Sequence, residues 1–91
     1  MFEPLAPPYR VDAWFYIKRP KSTKAAFPVA PVVGDVDKLL RATLDGLKTG
    51  GLIEDDRFVV DVFATKRWAG VRENPGAVIR ITELLGVVEE T

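Results

Sequence analysis

Residues 35–51 are the one stretch of this chain in which a helix's start, period and stop are all written in the side chains, and any fold has to be built around them. Asp35 is a good N-cap and Asp37 suits the first turn. Val36, Leu40, Thr43, Leu44 and Leu47 recur at helical spacing until Gly50-Gly51 ends the run. The spacing predicts a helix over 35–49. Together with the Glu54-Asp55-Asp56 turn that follows, this segment gathers six of the thirteen acidic residues, in a sequence without histidine or cysteine.

That composition narrows the chemistry. A chain of 91 residues makes a single domain, 1–91, that buries only about two-thirds of the surface its unfolded form exposes, so its core is thin and self-association would help it. Without cysteine there is no disulfide and no thiolate chemistry, which fits an intracellular protein. Without histidine the usual general base and the commonest transition-metal ligand are missing, so any catalysis falls to carboxylates and hard cations. No stretch is apolar for the ~18 residues that a membrane span needs, and no basic segment precedes an apolar run at the start. The expectation is a soluble, untargeted protein. Formal net charge is zero, yet residues 1–34 hold five basic and two acidic groups while residues 35–56 hold three basic and six acidic. Zero net charge therefore does not argue against a polyanionic ligand, because the field that a ligand meets is local.

Along the chain, residues 1–10 contain Pro4, Pro7 and Pro8 and read as an irregular lead-in. From 11 to 18 the side chains alternate, Val11, Ala13, Phe15 and Ile17 against Asp12, Trp14, Tyr16 and Lys18, which predicts a strand with one face in the core. The face with Trp14 and Tyr16 has to pack on a helix, a second subunit or a ligand. Residues 19–34, punctuated by Pro20, Pro28, Pro31 and Gly34, read as a basic loop. Residues 58–67 read as a strand apolar on both faces, which predicts a central position. After a turn around Pro75-Gly76 a third strand is expected over 77–83, pairing antiparallel with the 58–67 strand. The tail after Leu84 is apolar enough to cap the core or enter a second subunit. The fold class is α/β of the α+β type, with a small mixed or antiparallel sheet of about three strands against one main helix.

The acidic residues carry two readings. Asp35 and Asp37 can point into the space before the helix, and the turn after the helix can return Asp55 and Asp56 toward it. Carboxylates converging in that way need a cation between them, Mg²⁺ or Mn²⁺ with oxygen ligands being the natural choice. Such a metal can generate hydroxide and stabilise the extra charge of a phosphodiester under attack. The plain reading is an N-cap, a first-turn acid and a polar turn, with Asp37, Arg41 and Asp45 forming an i,i+4 ladder on a solvated face. Lys18, Arg19, Lys21 and Lys24 either keep a loop soluble or neutralise phosphates. Trp14 and Tyr16 read as packing residues.

Residues 34–61 resemble the signature region of the RusA family of Holliday junction resolvases, common in bacteriophages and prophages. The family's Asp-x-Asp-Asn-Leu-x-Lys-x-x-x-Asp-Ala-Leu is matched by Asp35-Val36-Asp37-Lys38-Leu39-Leu40-Arg41-Ala42-Thr43-Leu44-Asp45-Gly46-Leu47, and its later Asp-Asp-x-x-Val-x-Asp by Asp55-Asp56-Arg57-Phe58-Val59-Val60-Asp61. The resemblance implies a Mg²⁺-dependent endonuclease, with Mn²⁺ able to substitute, that acts as a homodimer on four-way DNA junctions in the cytoplasm of a bacterial host. It implies that Asp35, Asp37 and Asp56 hold the metal, with Asp55 as an additional acid, and that Arg41 stands where the family has an essential lysine. The basic loop and Lys38 would lie against DNA. Lys38 replaces the family's asparagine, and a further strand and helix usually precede the segment that starts here at Val11. The alternative is a branched-DNA-binding or regulatory dimerisation subunit derived from a resolvase that does not cut.

Overall fold

The computed structural model describes residues 4–29, 35–70 and 73–84. Among the described residues, three strands, β1 (Tyr9–Ile17), β2 (Val59–Trp68) and β3 (Gly76–Glu83), and one helix, α1 (Val36–Thr49), make an α+β domain, with a 3-10 turn at Asp56–Phe58 leading into β2. The mixed three-strand sheet and one helix are the class that the sequence predicts. Among the described residues no helix is long and apolar enough to cross a membrane.

The strand order corrects two expectations. The sheet runs β2-β1-β3, so the 77–83 strand pairs with β1 and not with the 58–67 strand. β1 is central, parallel to β2 (Val11 beside Val62, Trp14 beside Thr65) and antiparallel to β3 (Val11 beside Ile81, Trp14 beside Val78). The physical reason lies in the element order: strand, helix, strand is a crossover unit, which delivers the second strand parallel to the first. β2, apolar on both faces, is an edge strand, with Val60, Val62 and Phe63 exposed.

The core sits between α1 and one face of the sheet. Tyr9, Val11, Leu47 and Ile53 form its buried centre, with Leu44, Phe58, Ile79 and Ile81 packed around them. The helix contributes the face that its spacing predicts: Leu47 is buried, and Val36, Leu40, Thr43 and Leu44 are half-buried. The Tyr9 hydroxyl ties the amino end of the sheet together, donating to the Leu5 carbonyl and accepting from the Glu54 N–H at 3.1 Å. The lead-in is irregular as expected over residues 4–8, though Leu5 is held by its N–H to the Leu52 carbonyl.

At the other end, β2 and β3 lie on opposite sides of β1, and the residues that follow β2 (Ala69, Gly70) and precede β3 (Glu73, Pro75) stand near the end of β1, the Ala69 N–H bonding the Ile17 carbonyl at 2.8 Å. The loop leaving β1 starts at the same place. It folds back so that Pro28 is buried and the Trp68 indole N–H donates to the Ala25 carbonyl at 3.0 Å. Residues 30–34 and the apolar tail from 85 onward lie outside the described residues.

Candidate functional site

Where those two connections meet, at the carboxyl ends of the parallel strands β1 and β2, a cleft of about 1120 Å³ opens. Crevices at this end of parallel strands are where α/β sheets commonly take ligands. Lys18, Arg19 and Lys21 line it from the loop, and Arg67 and Trp68 from the end of β2. Glu73 is the acidic residue in the lining. Lys24, on the same loop, is exposed but does not line the opening. Arg67 also lies over the Phe27 ring, 5.1 Å from its centroid, so the guanidinium is steered by an aromatic face. Arg67 and Trp68 were not singled out by sequence reasoning. Their signal was the crossover order of strand, helix and strand, which sets the end of β2 beside the end of β1.

The acidic residues are placed at two separate points. Asp35 stands at the N-cap of α1, where its carbonyl takes the Leu39 N–H at 3.0 Å while its side chain makes no capping bond. Its carboxylate is 4.0 Å from Lys38 Nζ across an exposed i,i+3 pair. Asp37, Lys38, Arg41 and Asp45 line a shallow groove of about 430 Å³ on the outer face of α1. Among the described residues no ion pair joins Asp37 to Arg41 or Arg41 to Asp45, so the expected ladder is a row of neighbours without bonds.

Asp55 and Asp56 lie beyond the other end of the helix. Asp55 accepts the Arg57 N–H at 3.0 Å and faces Lys48 Nζ at 3.4 Å. The Arg57 N–H, a hydrogen bond shared with Asp56 and the charge of Lys48 hold the Asp55 carboxyl below its ordinary range, against the effect of partial burial. Asp56 is exposed at the start of the 3-10 turn. Lys48, which marks where Asp55 sits, is eleven residues past Asp37, or roughly 16 Å along the axis at about 1.5 Å per residue.

Among the described residues no three acidic side chains stand close enough to share an ion. Asp35 and Asp37 are brought to one end of α1, Asp55 and Asp56 to the other, and the two pairs do not meet.

On the sheet face away from the core the structure shows a network that the sequence did not reveal. Asp12, only 1% exposed, takes Arg10 Nη2 at 2.8 Å, Arg10 Nε at 3.2 Å and Arg80 Nε at 3.3 Å. Arg10 also reaches Asp61 at 2.7 Å. Arg80 lies over Trp14, and Trp14 tilts against Phe63 with ring centroids 6.0 Å apart. Trp14 is thus a packing residue, as expected.

Comparison with curated proteins and with solved structures gives no match in either case. A family model does match: the one described as Endodeoxyribonuclease RusA aligns with residues 1–82, nearly the whole chain and both acidic stretches included. A basic cleft and two acidic pairs are thus carried by a chain that belongs to the RusA family of endodeoxyribonucleases.

Proposed function

We propose that this chain is an endonuclease of branched DNA, with the four-way junction as its substrate, acting as a homodimer and requiring Mg²⁺ or Mn²⁺. Family membership supports the nuclease chemistry. The observation that carries the ligand is the cleft: Lys18, Arg19 and Lys21 from the loop and Arg67 from the end of β2 converge at one end of the sheet, around an opening of about 1120 Å³. Lys24 on the same loop and Lys38 on α1 extend the positive surface outward.

The separation of the carboxylates supports the dimer. A site that uses Asp35 and Asp37 together with Asp56, and Asp55 beside it, has to draw its two halves from different copies, because α1 holds them apart. A twofold axis makes two such composite sites at once, as paired cuts on a twofold junction require. Arg41, one turn into α1 on the groove that holds Asp37, is positioned to contact a phosphate next to that half.

The test uses two inactive variants. Asp35→Asn and Asp56→Asn are each expected to abolish Mg²⁺-dependent nicking of a synthetic four-way junction, and mixed dimers of the two to recover it, since one of their composite sites carries neither change. Native rates from either variant alone would remove the carboxylates from the reaction. Absence of recovery in mixed dimers would place the site within one chain. Junction binding without products under Mg²⁺ or Mn²⁺ would favour the non-cutting alternative.

A further inference from the structure

We propose that the outer edge of β2 is the surface on which a second copy docks, the two β2 strands pairing antiparallel about a twofold axis at Ala64 so that two sheets become one of six strands. The inference rests on the homodimer reading and names its surface.

β2 is a ten-residue edge strand without proline or glycine, and among the described residues no segment pairs with its outer side. Long open edges of this kind are usually blunted or covered. Val60 is 66% exposed, Val62 42% and Phe63 43%, whereas β3, the other edge, exposes one large apolar side chain, Val78. β2 thus has the composition of a central strand in the position of an edge strand. A second copy on that edge makes its position central.

Charge fixes the register. A twofold axis perpendicular to the sheet keeps each face on its own side, so a residue of β2 can only oppose one of the same face. With Ala64 opposite Ala64, Asp61 opposes Arg67, twice over, and Val60 opposes Trp68. Opposite charges across a strand pair are favourable. Moving the axis to Phe63 sets Asp61 opposite Thr65, and moving it to Thr65 sets Asp61 opposite Ala69; both lose the charge pair. Asp61 and Arg67 are exposed; Asp61 already holds Arg10 at 2.7 Å and Arg67 lies over Phe27, so the cross-strand pair gives Asp61 a second cation and draws Arg67 to the seam side of the cleft. The same pairing lays the Asp55-Asp56 turn of one copy beside the Trp68 end of the other, where the second copy's cleft opens.

The chain has no cysteine, so Ala64→Cys supplies a single thiol. With oxidised glutathione as oxidant, that variant is expected to form a disulfide-linked dimer, while Phe63→Cys and Val78→Cys do not. In parallel, Val62→Lys, a charge on an already exposed edge position, is expected to weaken dimerisation roughly tenfold or more in sedimentation equilibrium without altering the monomer's circular dichroism. Linkage at Val78→Cys with none at Ala64→Cys overturns the surface, and linkage at Phe63→Cys in place of Ala64→Cys overturns the register. A junction-nicking dimer that Ala64→Cys fails to link overturns this surface and leaves the function standing. An Ala64→Cys-linked dimer that never nicks upholds the surface and defeats the function.

Discussion

Asp12 shows how a single side chain ties the sheet together from within. A buried carboxylate is costly unless donors surround it, and Arg10 and Arg80 supply three. Hydrogen bonding from Arg10 dominates and holds the Asp12 carboxyl below its ordinary range, burial works the other way, and Arg80 adds to the lowering. Because the folded-state value lies below the unfolded one, the contribution is complete above the unfolded value of about 3.9 and is lost as pH falls through the depressed native value. Asp12→Asn is therefore expected to be less stable than the native chain at neutral pH, with the gap narrowing as pH drops below about 4. Urea midpoints measured across that range check it, and a gap independent of pH would contradict it. In the sequence Asp12 is no more than the polar partner in an alternating strand. Its partner Arg80 stands directly opposite it on β3, far along the chain, and no local signal announces that.

The helix is the element that the sequence specifies most completely, because its boundary signals are chemical and local. Its end is a Schellman motif: the Leu52 N–H bonds the Leu47 carbonyl at 3.0 Å, the Gly51 N–H bonds the Lys48 carbonyl at 3.1 Å, and Gly51 sits at φ +78°. Gly51→Ala is expected to cost about 1 kcal/mol, since an L side chain is disfavoured there. Gly46→Ala, in the exposed helix interior where an added Cβ meets nothing within 4 Å, is expected to gain roughly 0.5–1 kcal/mol. Thermal denaturation of the two variants should give shifts of opposite sign. The strands were less legible than the helix. Their existence followed from alternation, with ends within two residues, but alternation says nothing about neighbours. The apolar faces of β2 suggested a centre, but alternation does not distinguish a central strand from an apolar edge, whereas the strand-helix-strand order carries the parallel pairing of β2 with β1.

For the molecule as a whole, the acidic residues of the candidate site stand out in the sequence and the basic cleft only in part. Asp35, Asp37, Asp55 and Asp56 stand out by local density, whereas how far apart a fourteen-residue helix keeps them is a matter of tertiary arrangement. Lys18, Arg19 and Lys21 were visible as a cluster, but Arg67 joins them only through parallel pairing. Salt dependence tests the assembled surface: in a homodimer gripping DNA with both clefts, Lys21→Ala removes two phosphate contacts. The slope of log affinity against log salt should then fall by about 1.8, twice the roughly 0.9 of a single lost contact. A fall of only one contact's worth would mean that one cleft works at a time. Finally, Ala69, Gly70, Glu73 and Pro75 of one connection and Lys18, Arg19 and Lys21 of the loop leaving β1 bound the opening from two sides, and beyond the Ala69 N–H, which bonds the Ile17 carbonyl at 2.8 Å, these residues lie outside the central ladders. Lengthening either one would resize the mouth, and so the girth of what it admits, with the three strands unmoved.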